Sequence, residues 1–239
     1  MTEFKINLAN MIIRIQGVYD TLQEYCWEYI TNENTMEDFV IKITAEDIQQ
    51  ERNRYDYGEN SDNYVEIIMS LLKIADELPE RNKLLLHGAL IAWKHNGYIF
   101  TAPSGTGKTT HVRLWKKYLG SDVEIINGDK PILEVDEEKI IAYGTPWAGK
   151  ERLQKNSYVP VKGICFLRQS EKNEIHKLSK KEALFLLLPQ IYVASDYQKA
   201  GRTLELLDKM LGIVPVYEFG CNISEQAVKC SFDIITAAD

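Results

Sequence analysis

Apolar and polar positions follow two rhythms along this chain, and the change between them marks its parts. In the first 80 residues, "FKINLANMIIRIQG" carries β-branched apolar residues in partial alternation, the pattern of one or two strands. "DFVIKIT" (38–44) suits another. From 45 to 63, "AEDIQQERNRYDYGENSDN" is polar and poor in aliphatic residues, which predicts a long exposed connection. Tyr64, Ile67, Ile68, Leu71, Leu72, Ala75 and Leu78 then recur at three- and four-residue spacing, predicting a helix that Pro79 stops.

Beyond residue 80 the apolar runs become denser. "KLLLHGALIAW" and "YIFTAP" read as two strands joined through "KHNG", with Asn96-Gly97 as the hairpin-turn signal. The second run leads into "SGTGKTT", and "KTTHVRLWKKYLG" reads as a helix closed by Gly120. "VEIINGD" is a strand ending at Asp129. "PILEVDEEKIIAYG" reads as strand, charged turn, strand, and "VKGICFLRQSEKNEIHKLS" as a second such pair. Such a meander implies a mixed sheet with much antiparallel pairing, unlike the regular strand–helix alternation of a wholly parallel one. The C-terminal third is helical. Ser179 and Glu182 form a capping box, "DYQKAGRTLELLDKMLG" is amphipathic and closes at Gly212, "VPVYEFGC" is a strand, and "SEQAVKCSFDIITAA" is a helix from Ser224. The expected fold class is therefore α/β with α+β character, in two parts: a small β-rich N-terminal region with a helix (1–80) and a core (81–239).

Composition changes this picture little. The 239 residues are 45% hydrophobic and 26% charged, which suits a globular protein. The net charge of −7 argues against a nucleic-acid partner, which demands clustered cations. No apolar run is long enough for a membrane span, no secretory signal is visible, and four scattered cysteines read as reduced thiols, so a cytoplasmic location is expected.

Chemistry concentrates at 101–110, "TAPSGTGKTT". A small residue, four free positions and Gly-Lys-Thr make a phosphate-cradling loop: Ala102, then 103–106, then Gly107-Lys108-Thr109. The glycines let successive N–H groups point inward as an anion site, and the helix starting near Lys108 adds its positive end. Ser104, Gly105, Thr106, Gly107, Lys108, Thr109 and Thr110 are the expected nucleotide-binding residues. Lys108 supplies charge to the β- and γ-phosphates, and the Thr109 hydroxyl is placed for Mg²⁺. Asp129, at the end of a neighbouring strand, is the carboxylate such sites need to hold Mg²⁺ or accept a proton; an Asp opening a turn before Pro131 is the alternative. "YGTPWAGKERL" (143–153) presents Trp147, Lys150 and Arg152 on an irregular backbone. Either cation could neutralise charge on a transferring phosphoryl group, or the stretch is a packed turn with two solvated charges. His111 is expected on the helix surface, and nothing gathers the four histidines into a metal site.

"LLHGALIAW", the strand into "SGTGKTT" and the strand ending at Asp129 together resemble the catalytic domain of HPr kinase/phosphorylase. The loop is also similar to that of ATP-dependent phosphoenolpyruvate carboxykinase, which shares that fold. The motifs cover about residues 84–130. The resemblance implies a P-loop core of this type, ATP and Mg²⁺ on Lys108 and Thr109, His87 beside the site and Asp129 in an acidic pair. It also implies a kinase acting on a serine of a peptide or protein, or on a small hydroxylated metabolite, and a possible homo-oligomer. Within that superfamily the chain looks like stand-alone HPr-kinase-like proteins of bacterial gene clusters. It departs from the pattern where the first acid of the pair is Gly128. Asn127, His87 or a residue elsewhere must then take part, or the chain is a nucleotide-binding regulatory or scaffold module with weak or no catalysis.

Overall fold

The computed structural model describes residues 1–32 and 35–237; Ala238, the last residue of the expected final helix, lies outside the described residues. Contacts divide the chain into two units, Met1–Glu77 and Leu78–Asp239.

In the first unit, β1 (Thr2–Leu8) and β2 (Met11–Gly17) form an antiparallel hairpin in which Leu8 faces Met11. Ala9 and Asn10 both take positive φ, 51° and 62°, which matches the twist of a two-residue hairpin turn. After α1 (Asp20–Tyr25), β3 (Phe39–Lys42) joins β2 in parallel. The segment read as an exposed connection is helical over its first half, α2 (Ala45–Arg54). Thr44 Oγ1 accepts from the Asp47 N–H at 3.1 Å and the Asp47 carboxylate accepts from the Thr44 N–H at 2.9 Å. That reciprocal cap, with Ala, Glu, Gln and Arg as helix formers, sustains a helix that buries only Ile48. Scarcity of aliphatic residues reported a solvated helix, not missing structure. α3 (Asp62–Ala75) buries Val65, Met69, Leu71 and Ile74, and also Glu66, whose carboxylate accepts from the Val18 and Tyr19 N–H groups. Burial raises the Glu66 carboxyl pKa against those two bonds.

The second unit begins with β4 (Lys83–Leu85), β5 (Gly88–Trp93) and β6 (Asn96–Thr101). Trp93 faces Asn96, so the hairpin turn is Lys94–His95, both at positive φ (47° and 69°), not Asn96-Gly97. Gly97 answers a different need: a Cβ there would lie 2.7 Å from Val159 Cγ2. There follow α4 (Lys108–Leu119), β7 (Val123–Asn127), β8 (Ile132–Val135), β9 (Ile140–Tyr143), β10 (Tyr158–Gln169) and β11 (Glu174–Lys177). Next come α5 (Lys180–Leu187), α6 (Tyr197–Ile213), β12 (Val216–Cys221) and α7 (Glu225–Ile235). Ser179 and Glu182 cap α5 reciprocally, Ser224 caps α7, and α6 runs through Gly212.

The strands form a mixed sheet in the order β4-β8-β9-β10-β6-β5-β7, with β12 also on β10 and β11 on β12. Among the described residues six of its eight strand pairs are antiparallel; β10 is parallel to both β6 and β12. β10 and β11 do not pair with each other as the meander pattern implied. The largely buried β12 takes the interior place between them, a long-range competition invisible to local patterning. Successive residues of β5 and β6 enter opposite cores, which is why these strands read as continuous apolar runs. Leu90, Ala92 and Ile99 pack with Leu187, Leu206, Leu207 and Met210 of α5 and α6. Ala89, Ile91, Tyr98 and Phe100 pack with Val112, Trp115, Val228 and Ile235 of α4 and α7. With seven helices among the described residues, the fold is α/β with helices on both faces of the sheet. No helix among them is long and apolar enough to cross a membrane.

Candidate functional site

β5 runs opposite to β6, so the start of one and the end of the other share an edge, where Gly88 pairs with Thr101. β7, also antiparallel to β5, ends there too: the Gly88 N–H donates to Asp129 O at 2.8 Å. Thr101 Oγ1 donates to His87 O at 2.7 Å. Three segments distant in sequence thus bring the 102–107 loop, His87 and Asp129 to one end of the sheet. β10 ends at the same place, and Gln169 Nε2 donates to Thr106 O at 3.3 Å.

Gly105 and Gly107 take φ of +81° and +116°, and a Cβ at either would meet nothing within 4 Å. Backbone conformation rather than space therefore demands glycine at both. Gly107 is the N-cap of α4. No side chain caps that end and its first turn holds no acid, so its first amides suit an anion. Thr106 Oγ1 donates to Pro103 O at 2.9 Å and steadies the loop, while Ser104 and Thr110 are exposed and Thr109 half-buried. Lys108 folds back over the loop, its Nζ donating to Ala102 O at 2.8 Å and Pro103 O at 3.3 Å. Burial lowers its pKa; the charge of Asp129 opposes that, and the charge of Lys130 adds to it.

Asp129 is held on both oxygens. Oδ1 lies 3.2 Å from His87 Nε2 and Oδ2 lies 3.4 Å from Lys130 Nζ. Burial would raise its carboxyl pKa, but the His87 hydrogen bond and the Lys130 ammonium together outweigh it and hold the carboxyl below its ordinary value. Asp129 is thus an anion at neutral pH. His87 Nδ1 in turn lies 3.1 Å from Gln190 Oε1, and the His87 N–H donates to Gln190 O at 2.7 Å. Gln190 is buried in the turn that follows α5.

Residues 144–153 fold over the end of β7. Asn127 Nδ2 donates to Thr145 O and Oγ1 at 3.0 and 3.1 Å, and its Oδ1 accepts from the N–H groups of Asp129 and Lys130 at 2.9 and 2.7 Å. Every hydrogen-bonding position of Asn127 shapes this turn, so it does not stand in for a second acid. A Cβ on Gly128 would lie 2.8 Å from Ala148 O and 3.3 Å from Leu153 Cβ. Position 128 therefore has no room for a side chain. Gly149, at φ +79°, comes close enough that a Cβ would lie 3.3 Å from Asp129 Cβ, and Glu151 pairs with Arg113 of α4. Lys150 and Arg152 are exposed on a loop fixed by Asp129 on one side and α4 on the other, with Trp147 buried as its anchor.

His111 is not on the surface. It is 3% exposed, with Nε2 3.2 Å from Ser231 Oγ and accepting from Trp115 Nε1 at 3.1 Å. The helical period puts His111 and Trp115 on the face that α4 turns toward the sheet and α7, and burial lowers the imidazole pKa to about 4. Sequence reasoning also missed Lys130 and Gln190. Lys130 had a signal in its adjacency to Asp129; Gln190, 103 positions from His87, had none. Among the described residues no three His, Cys, Asp or Glu side chains gather as a metal cluster. The hydroxyl of Thr109 and the carboxylate of Asp129 are hard oxygen donors, and two such groups completed by phosphate and water suit magnesium better than any all-protein cage.

Residues 56–222, more than half of the chain, match the model of a family described as SynChlorMet cassette protein ScmC. The chain belongs to the ScmC family. The ScmC match takes in the 101–110 loop, Asp129, Lys130 and Gln190 alike. No curated protein matches the chain. Among solved structures, the Hpr(Ser) kinase/phosphatase from Coxiella burnetii is similar at 11% identity and a TM-score of 0.34, over 61% of this chain and 93% of that one. A likeness that loose carries no argument about fold or chemistry, and the ScmC description names no reaction.

Proposed function

We propose that this chain is an ATP- and Mg²⁺-dependent phosphotransferase that moves the γ-phosphoryl group to a hydroxyl. The acceptor class is a serine of a peptide or protein, or a small hydroxylated metabolite. The observation that carries the reading is the meeting of an uncapped, glycine-shaped helix start with a buried lysine and an ionised Asp129 at one end of the sheet. The amides of 104–109 would bind the phosphate tail and Lys108 would leave its loop carbonyls for the β- and γ-phosphates. Thr109 and Asp129 are the residues that would hold magnesium, which supplies charge neutralisation across those phosphates. The acceptor oxygen forms its bond to the γ-phosphorus as the bond to the ADP oxygen breaks. The hydroxyl proton would pass to Asp129, oriented by His87, where that carboxylate meets the ion only through water, and Lys150 or Arg152 would neutralise charge on the moving group.

One observation favours a second reading, a nucleotide-dependent regulatory or scaffold module: Gly128 is packed so closely that a second acid has no place. Incubation of wild-type and Lys108→Ala protein with γ-labelled ATP, magnesium, serine peptides and polyols separates the two. The kinase reading expects label on an acceptor with wild type and none with Lys108→Ala. ATP binding without transfer to any acceptor favours the module, and absence of ATP binding sinks both.

A further inference from the structure

Two lysines stand at this end of the sheet, Lys108 on its loop carbonyls and Lys130 on Asp129, and only Lys108 belongs to the 101–110 loop. Lys108 Nζ donates to Ala102 O; the neighbouring Thr101 hydroxyl donates to His87 O, and His87 and Lys130 both hold the Asp129 carboxylate, so the two lysines share this end of the sheet. Lys130 is held by its backbone at both ends: its N–H donates to Asn127 Oδ1 at 2.7 Å and its O accepts from Thr145 Oγ1 at 2.7 Å. Its side chain is 26% exposed and reaches Asp129 Oδ2 only at 3.4 Å. An ammonium has three donors, and this single long contact leaves capacity for another acceptor. One carboxylate does not balance two ammonium groups and the positive end of α4. Such positive charge, partly shielded from water, suits an anion bearing more than one charge.

The two lysines differ in attachment. Lys108 rises from the loop that wraps the inner phosphates, whereas Lys130 is tied to Asp129, the acid that faces the reacting phosphate in sites of this kind. Resting on the nucleotide reading above, we propose that Lys130 contacts the terminal phosphate of a nucleoside triphosphate and makes the site prefer triphosphate over diphosphate. The fixed backbone of Lys130 sets where its ammonium can reach, and the remaining donors let it hold Asp129 and a phosphate oxygen together.

The test is calorimetric titration of ATP and of ADP, each with magnesium, into wild-type protein and the Lys130→Gln and Lys130→Arg variants. All three keep the backbone bonds of residue 130. Loss of one charge-assisted contact weakens binding about tenfold or more. Lys130→Gln should weaken ATP by that factor while ADP moves less than about twofold, and Lys130→Arg should retain the preference for ATP. If Lys130→Gln weakens both nucleotides equally, or neither, the proposal is overturned while the nucleotide reading stands. Should wild type bind neither nucleotide, the nucleotide reading itself fails and this proposal with it. Lys130→Met, which keeps the aliphatic stem, serves for the same comparison if Lys130→Gln does not fold.

Discussion

Gly128 stands between Asn127 and Asp129 beneath loop 144–153, and its packing makes a quantitative prediction. Gly128→Ala puts a methyl group 2.8 Å from Ala148 O and 3.3 Å from Leu153 Cβ. The closer neighbour is backbone, not the end of a flexible side chain. It cannot retreat freely, because Asn127 binds Thr145, Thr145 binds Lys130 O, and the Ala148 N–H donates to Pro146 O at 3.0 Å. Overpacking of this kind costs about 1–3 kcal/mol, and the stiffer unfolded chain of alanine returns about 0.4–1 kcal/mol. The net loss is centred near 1 kcal/mol and reaches about 2.6 kcal/mol, or up to roughly 10 °C in the melting temperature of a unit this size. Gly128→Asp adds a second carboxylate beside Asp129 and is expected to melt lower still, without gaining phosphoryl transfer, since it displaces the loop that carries Lys150. Thermal unfolding by circular dichroism, with labelled-ATP transfer on the same proteins, measures both. If Gly128→Ala melts with wild type and Gly128→Asp transfers phosphate faster, loop 144–153 does not constrain this site and the reasoning is wrong.

Other consequences are as direct. The His111 pKa is about 4 against an ordinary 6.5, so between those values the unfolded chain binds a proton that the folded one does not. Stability should therefore fall by up to about 3 kcal/mol as pH drops from 6.5 to 4, and His111→Phe should flatten that part of the stability–pH profile, measured by urea unfolding. Trp115 Nε1 retains Ser231 Oγ at 3.0 Å in that variant, so its indole keeps a partner. Gln190→Leu removes the Nδ1 partner of the His87 ring and should lower transfer by about ten- to a hundredfold with ATP affinity unchanged; equal losses in both would contradict a positioning role. Thr44→Ala removes one half of the cap on α2 and should cost the N-terminal unit about 1 kcal/mol, read by denaturant unfolding.

What the sequence made legible was chemistry carried by neighbours in the chain. The glycines at 105 and 107, the lysine that opens α4, and the strand endings around them follow from local spacing, and the strands of the hairpin follow from their apolar runs. The misreadings have physical causes. α2 was hidden because a capped helix with one buried residue looks like a polar connection. Asn96-Gly97 resembled a turn, but Gly97 is glycine because Val159 crosses it, and the turn falls two residues earlier. Local pattern pairs β11 with β10, since nothing in it announces that β12 packs between them. His111 was misplaced because an imidazole suits a surface or a core equally until Trp115 and Ser231 stand beside it. Gln190 and the clasp of loop 144–153 over Gly128 depend on contacts between distant segments, which no spacing rule reports.

A crystal structure of the protein with a non-hydrolysable ATP analogue and magnesium tests the central claim most directly. The account predicts β- and γ-phosphate oxygens within hydrogen-bond distance of the amides of 104–109, with Lys108 swung off Ala102 O toward them and Asp129 reaching the ion directly or through one water. An analogue bound elsewhere, with Lys108 still folded onto its own loop, would contradict it.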